Sequence, residues 1–127
     1  MSELPAGDCG ACIWSGEGDA PAFFEETNPR ARRDYSCCEC GERIVTGEIH
    51  NRAAGKWDGE VQSYRTCACC AEIRRVLCCE GWTYTTLWTD AAESIFEYLT
   101  VGCLAKLETA AAKEKLLARW RAWKFAA

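Results

Sequence analysis

Two Cys-x-x-Cys pairs, Cys37/Cys40 and Cys67/Cys70, constrain this chain more than any other feature. Two cysteines at this spacing turn both sulfurs to one side of a metal ion. Two such pairs supply the four soft ligands that tetrahedral zinc takes, at about 2.3 Å each. Gly41 follows the first pair, where a tight turn needs positive φ. The second pair is expected at a helix start, with Thr66 as the cap, where the helix dipole favours thiolate anions. The 26 residues between the pairs must fold back to bring the two together. A structural zinc site of Cys37, Cys40, Cys67 and Cys70 is the expectation.

The chain has 127 residues and eleven cysteines. An odd number leaves at least one thiol outside any all-disulfide scheme. Met1 to Asp8 show neither the basic nor the apolar region of a secretion leader, so a cytoplasmic location is expected. In a reducing compartment, clustered cysteines point to metal before disulfides. No run of about 18 apolar residues occurs, so a soluble protein without a membrane partner is expected. The composition, 49% hydrophobic and 27% charged, suits a globular domain with a modest core that a metal would help to stabilise.

Residues 1–29 carry six acids and no Lys or Arg, with scattered Gly and Pro, and read as an irregular arm docked through Trp14, Phe23 and Phe24. Residues 30–80 read as the metal module. Within it, Ile44-Val45 starts a strand, Thr46-Gly47 turns, and Glu48 to Arg52 resumes extended chain. Ala54-Gly55 and Asp58-Gly59 mark further turns. Ile73, Val76 and Leu77 share a helix face after the second pair. Residues 81–127 read as a helical part packed on the module. A helix is expected from about Thr85 to Thr100, a break at Gly102, and a last helix from about Leu104 to Trp123. The fold class is therefore α+β: a zinc-stabilised hairpin module followed by two or three helices.

The remaining cysteines carry two readings. Cys9 and Cys12 form a third Cys-x-x-Cys, and with Cys78 and Cys79 they make a possible second metal set, giving one or two zinc ions per chain. Cys38 and Cys69 sit inside the pairs and read as small buried residues or as ligands in a shifted register. Cys103 reads as core. His50 is the only histidine. It reads as a hairpin residue, with metal ligation as the alternative. Its solitude excludes zinc sites that need two or three histidines. Four thiolates leave no open position for a substrate, so an enzyme is not expected.

The knuckle Cys37-x-x-Cys40-Gly41, a hairpin with Ile44 and Gly47, and a second pair opening a helix together resemble a treble-clef zinc finger. More narrowly, the stretch from Cys37 to Leu77, the following Gly81 to Trp88 ("GWTYTTLW"), and above all Gly55-Lys56-Trp57-Asp58-Gly59, resembles small Cys-rich proteins encoded by bacteriophages and prophages. The resemblance spans about residues 30–100. It implies an accessory protein acting in a bacterial host, and no particular reaction.

Two partner classes follow. A host protein is the first, bound in order to inhibit host defence or transcription, with Trp120, Arg121, Trp123 and Lys124 as an aromatic and cationic end. The same helix also offers a surface for a homo-oligomer. Nucleic acid is the second, with Arg30, Arg32, Arg33, Arg52, Lys56 and Arg65 as leading phosphate contacts and Arg43, Arg74 and Arg75 beside them. The overall net charge of −4 weighs against a nonspecific coat on nucleic acid. A treble-clef nuclease is the weakest reading, since only His50 would serve it.

Overall fold

A computed structural model describes residues 4–14, 24–57, 59–79 and 81–126. Among these residues the class is α+β, with two small antiparallel sheets and four α-helices. The larger sheet has the order β1-β4-β5, from Phe24–Thr27, Asn51–Trp57 and Glu60–Thr66. The smaller pairs β2 (Tyr35–Ser36) with β3 (Arg43–Ile44). The helices are α1 (Ala68–Leu77), α2 (Leu87–Ser94), α3 (Val101–Ala105) and α4 (Ala110–Lys124).

The β4–β5 hairpin forms where the Asp-Gly signal stands, with Trp57 opposite Glu60 and Gly59 at φ 79°. Ala54-Gly55, expected as a turn, instead lies inside β4. Gly55 pairs with Gln62 on one side and Phe24 on the other. The expected irregular arm therefore ends earlier, because Phe24 to Thr27 add a third strand. Trp14 is exposed, Phe24 packs among aromatic rings, and the expected contact of Phe23 lies outside the described residues.

Alternation along β4 and β5 sorts the larger sheet into two faces. Asn51, Ala53 and Gly55 are buried on the inner one. Tyr64 there stacks on Tyr84 with centroids 4.7 Å apart, and Trp57 meets both rings edge-on. Arg52, Ala54, Lys56, Val61, Ser63 and Arg65 point the other way and are exposed or half-exposed.

The main core lies among the helices. Ile73 and Leu77 of α1 meet Leu87, Ala91, Ile95, Leu99, Cys103, Leu107, Leu116 and Trp120 in one buried cluster that also takes in Ile44 and Ile13. The expected 85–100 helix is interrupted after Ser94 and continues as a 3₁₀ turn over Phe96–Tyr98. The last helix starts at Ala110 and not at Leu104. Thr109 caps it by accepting from Ala112 N at 3.2 Å. The Glu72 carboxylate accepts from Glu108 N at 2.6 Å and Thr109 N at 3.1 Å, and so fixes that start from α1. Gly102, expected as a break, lies within α3. A Cβ there would run into the Gly7 carbonyl, so the position needs glycine for close approach.

That approach is how residues 4–14 dock. Gly102 N donates to Gly7 O at 3.0 Å, Val101 N to Pro5 O at 2.9 Å, and Ile13 N to Leu77 O at 2.8 Å. Two disulfides fasten the segment, Cys9–Cys103 and Cys12–Cys79, at sequence separations of 94 and 67. Among the described residues, no helix is long and apolar enough to cross a membrane.

Candidate metal centre

The first cysteine pair sits on a tight turn. Cys37 N donates to Glu42 O at 2.9 Å, and Gly41 N donates to Cys37 O at 3.0 Å. Gly41 adopts φ 77°, which glycine tolerates without strain. The second pair opens α1 as expected, but the cap is Cys67 itself. Its sulfur accepts from Cys70 N at 3.4 Å, while Thr66 is fully buried and spends its hydroxyl elsewhere. Cys38 N donates to Arg65 O at 2.9 Å, which ties the knuckle to the end of β5 and carries the first pair to the second.

The sulfurs of Cys37, Cys40, Cys67 and Cys70 all lie within 4.8 Å of one another. Cys40 and Cys67 Sγ are 3.9 Å apart. Four sulfurs at about 2.3 Å from one tetrahedral ion stand roughly 3.8 Å apart, so the spacing fits. Cys37, Cys67 and Cys70 are buried and Cys40 is partly so. Backbone donors are aimed at the sulfurs. Glu39 N is 3.4 Å and Cys67 N 3.3 Å from Cys37 Sγ. The thiols of Cys67 and Cys70 turn toward Cys37 and hold it far below the ordinary thiol range. Cys70 is pushed up in return, by the Cys37 and Cys67 sulfurs and then by burial. A cation that binds here must displace thiol protons.

Helix α4 closes the cluster. Lys115 Nζ is 3.2 Å from Cys40 Sγ, 3.5 Å from Cys67 Sγ and 2.6 Å from Glu42 Oε2. Burial alone would lower this lysine's pKa. The Glu42 carboxylate and the Cys40 sulfur outweigh it and raise the pKa above the usual range. A fixed cation on two sulfurs partly neutralises the negative charge that four thiolates leave around a divalent ion.

The knuckle is also tied to the helical part through Glu39, whose side chain is 0% exposed. It pairs with Arg74 at 3.1 Å and accepts from Thr85 N and Leu87 N, both at 3.0 Å. Arg74 in turn donates to Thr66 Oγ1 and Asn51 Oδ1, each at 3.1 Å. A glutamate between two ligand cysteines reads as solvent-facing in sequence, so this role was missed. The one local hint was a full set of ligands on either side that left Glu39 no metal to bind.

The structure does not gather Cys9, Cys12, Cys78 and Cys79 into a second cluster. Cys9 and Cys12 are disulfide-bonded to different partners, and Cys78 is a buried free thiol pushed up to about 12 by burial. Cys38 faces Thr66 Oγ1 at 3.3 Å, with burial lifting it to about 11, and Cys69 is likewise raised by burial. Both lie outside the four-sulfur group. His50 is buried with both ring nitrogens engaged. Arg65 Nη1 donates to Nε2 at 2.8 Å, which leaves Nδ1 to donate to Glu48 O at 3.3 Å.

Of the expected partner-binding residues, Trp120 is 3% exposed and donates its indole N–H to Phe96 O at 3.2 Å. It is core, because it continues the Ala112–Leu116 stripe of α4. Trp123 is 41% exposed and Phe125 68%. Lys124 lies over the rings of Trp120 and Phe125. Of the expected phosphate contacts, Arg74 is buried in its ion pair and Arg43 pairs with Asp34 at 3.7 Å. Arg30, Arg32 and Arg33 lie exposed on the segment before β2.

Compared with family models, curated proteins and solved structures, the chain matches none.

Proposed function

We propose that this protein is a non-enzymatic, zinc-stabilised binding module that engages a protein of a bacterial host as a phage or prophage accessory factor. The observation that carries the reading is the closed set of four sulfurs at a spacing suited to zinc. Cys37, Cys40, Cys67 and Cys70 would hold the ion. It would supply cohesion between the knuckle and α1, with no coordination position left for a substrate. The order knuckle, hairpin, helix-opening pair supports a treble-clef arrangement. The sole histidine is engaged by Arg65 and Glu48, away from the sulfurs, which supports a role other than catalysis. Trp123 and Phe125, exposed beside Lys124, support a protein partner at the C-terminal end. Inhibition of a host defence or transcription component is the role that the resemblance implies for such a partner.

Metal analysis of the native protein, with Cys40→Ser beside it, tests the first part. A single zinc ion per chain, lost in the variant together with folded structure, is expected. Metal-free protein with these four thiols oxidised would overturn it. Crosslinking in host cells tests the second part. A partner captured by the parent and lost on Trp123→Ser is expected. Equal capture by both would remove this end from the interface.

A further inference from the structure

Among the described residues, the outer face of the larger sheet carries cations that no carboxylate pairs with. Arg52 on β4 and Arg65 on β5 are direct cross-strand partners. Like charges placed opposite each other destabilise a sheet. Lys56 lies four residues beyond Arg52 on the same face, about 13 Å away at the rise of an extended strand. Among the described residues, the ion pairs are those of Arg43, Arg74 and Lys115, so no carboxylate neutralises Arg52, Lys56 or Arg65.

The track extends beyond the strands. The Arg65 guanidinium lies 3.9 Å from the Tyr35 ring centroid, and that of Arg33 lies 5.1 Å from it. Stacking on Tyr35 and the bond to His50 hold the Arg65 fork in place. A fork fixed in advance loses little freedom on binding an anion. Between the cations stand only small side chains, Ala54 and Ser63, so a ligand backbone can approach closely. Among the described residues, the one acid on this face is Glu25 at its edge, opposite Ala54.

We propose that this face binds the phosphate backbone of a single-stranded nucleic acid, with Arg52, Lys56 and Arg65 as phosphate contacts and Arg33 extending the track. A phosphate bridging Arg52 and Arg65 offsets their mutual repulsion through charge-assisted, bidentate hydrogen bonds. A linear array of cations on a flat face matches a ligand whose charges recur along a chain. The attraction is local, since the whole chain is acidic. The contacts carry no base readout, so binding is sequence-tolerant. This surface is separate from the C-terminal end assigned to a protein partner.

The test is fluorescence anisotropy of the intact, metal-loaded chain with a labelled single strand of about 15 nucleotides. Salt is varied, and a polyglutamate of similar length is the competitor. Three phosphate contacts should give a slope of roughly −2 for log K against log salt, and each cation removed should flatten it by about 0.7. Lys56→Glu, at an exposed position, should weaken binding about tenfold or more, or about 1.4 kcal/mol. Arg52→Ser should act similarly, and Trp123→Ser should leave binding unchanged. No binding at low salt by protein with its full metal content would overturn the proposal, as would binding indifferent to both sheet variants. Polyglutamate competing as well as the oligonucleotide would overturn it in favour of an acidic protein. Metal content is measured on every sample, so failure of the zinc reading is seen separately.

Discussion

Replacing Glu39 with alanine removes a carboxylate that four donors share: the Arg74 guanidinium at 3.1 Å, Thr85 N and Leu87 N at 3.0 Å, and more weakly the Cys38 thiol at 3.7 Å. The two charged side chains are 2% and 0% exposed, so water cannot replace the lost partner at Arg74. Breaking a buried pair from one side costs about 3–5 kcal/mol. Arg74 keeps its bonds to Thr66 and Asn51, which places the loss toward the lower end. Thr85 moves the sum the same way. It sits at φ 78°, where a β-branched residue is strained, and losing Glu39 lets it relax. A net loss of about 3 kcal/mol is expected for Glu39→Ala, and about 1–2 kcal/mol for Glu39→Gln, which keeps an acceptor oxygen. Guanidinium melts of metal-loaded protein, followed by circular dichroism, measure both. A double-mutant cycle with Arg74→Met isolates the pair, and coupling of about 2 kcal/mol is expected. A Glu39→Ala loss under about 1 kcal/mol, with no coupling to Arg74, would falsify the reasoning.

Three further outcomes are expected. Metal affinity should fall as pH falls from about 8 to 6 in a chelator competition, because Cys67 and Cys70 are pushed above the ordinary thiol range and must release protons to bind. Burial would raise the pKa of Glu72, but the donors Thr109 N, Thr109 Oγ1 and Glu108 N outweigh it and hold the group below its usual range. A depressed carboxylate stabilises the fold above its unfolded pKa of about 4.3 and loses that effect as pH falls through the folded value. Glu72→Gln should therefore cost about 1–2 kcal/mol at neutral pH, and the gap to the parent should close in acid-titrated melts. Thr85→Gly should stabilise by about 1 kcal/mol in the same melts, by removing the strain at φ 78° while keeping the N–H that Glu39 accepts.

Much of the candidate centre was legible in advance because its rule is local. The cysteine spacing, Gly41 and the helix entry each sit within a few residues of one another. Asp58-Gly59 announced its hairpin for the same reason. Trp120 carried two conflicting signals: flanking Arg119 and Arg121 suggested solvent, while its place in the apolar row of the last helix pointed inward, and the packing followed the row. Gly55 was misread because nothing near it tells that Phe24 to Thr27 pair on its far side. The cysteine partners of Cys9 and Cys12 lie 94 and 67 residues away, and spacing does not encode such choices. The buried acids Glu39 and Glu72 act as caps for helices that begin 48 and 38 residues later, which no local window contains.

Lys115 has a consequence beyond charge. It stands on the same unbroken helix as Trp123, eight residues or about 12 Å earlier. A helix of this length is a stiff rod, held at its start by Glu72 and farther along by Lys115 against two sulfurs. The exposed aromatic tip is thus surveyed from the cysteines, as a pointer is from its pivot. The same packing that seats Lys115 on Cys40 and Cys67 therefore also fixes how far from the sulfurs the tip stands.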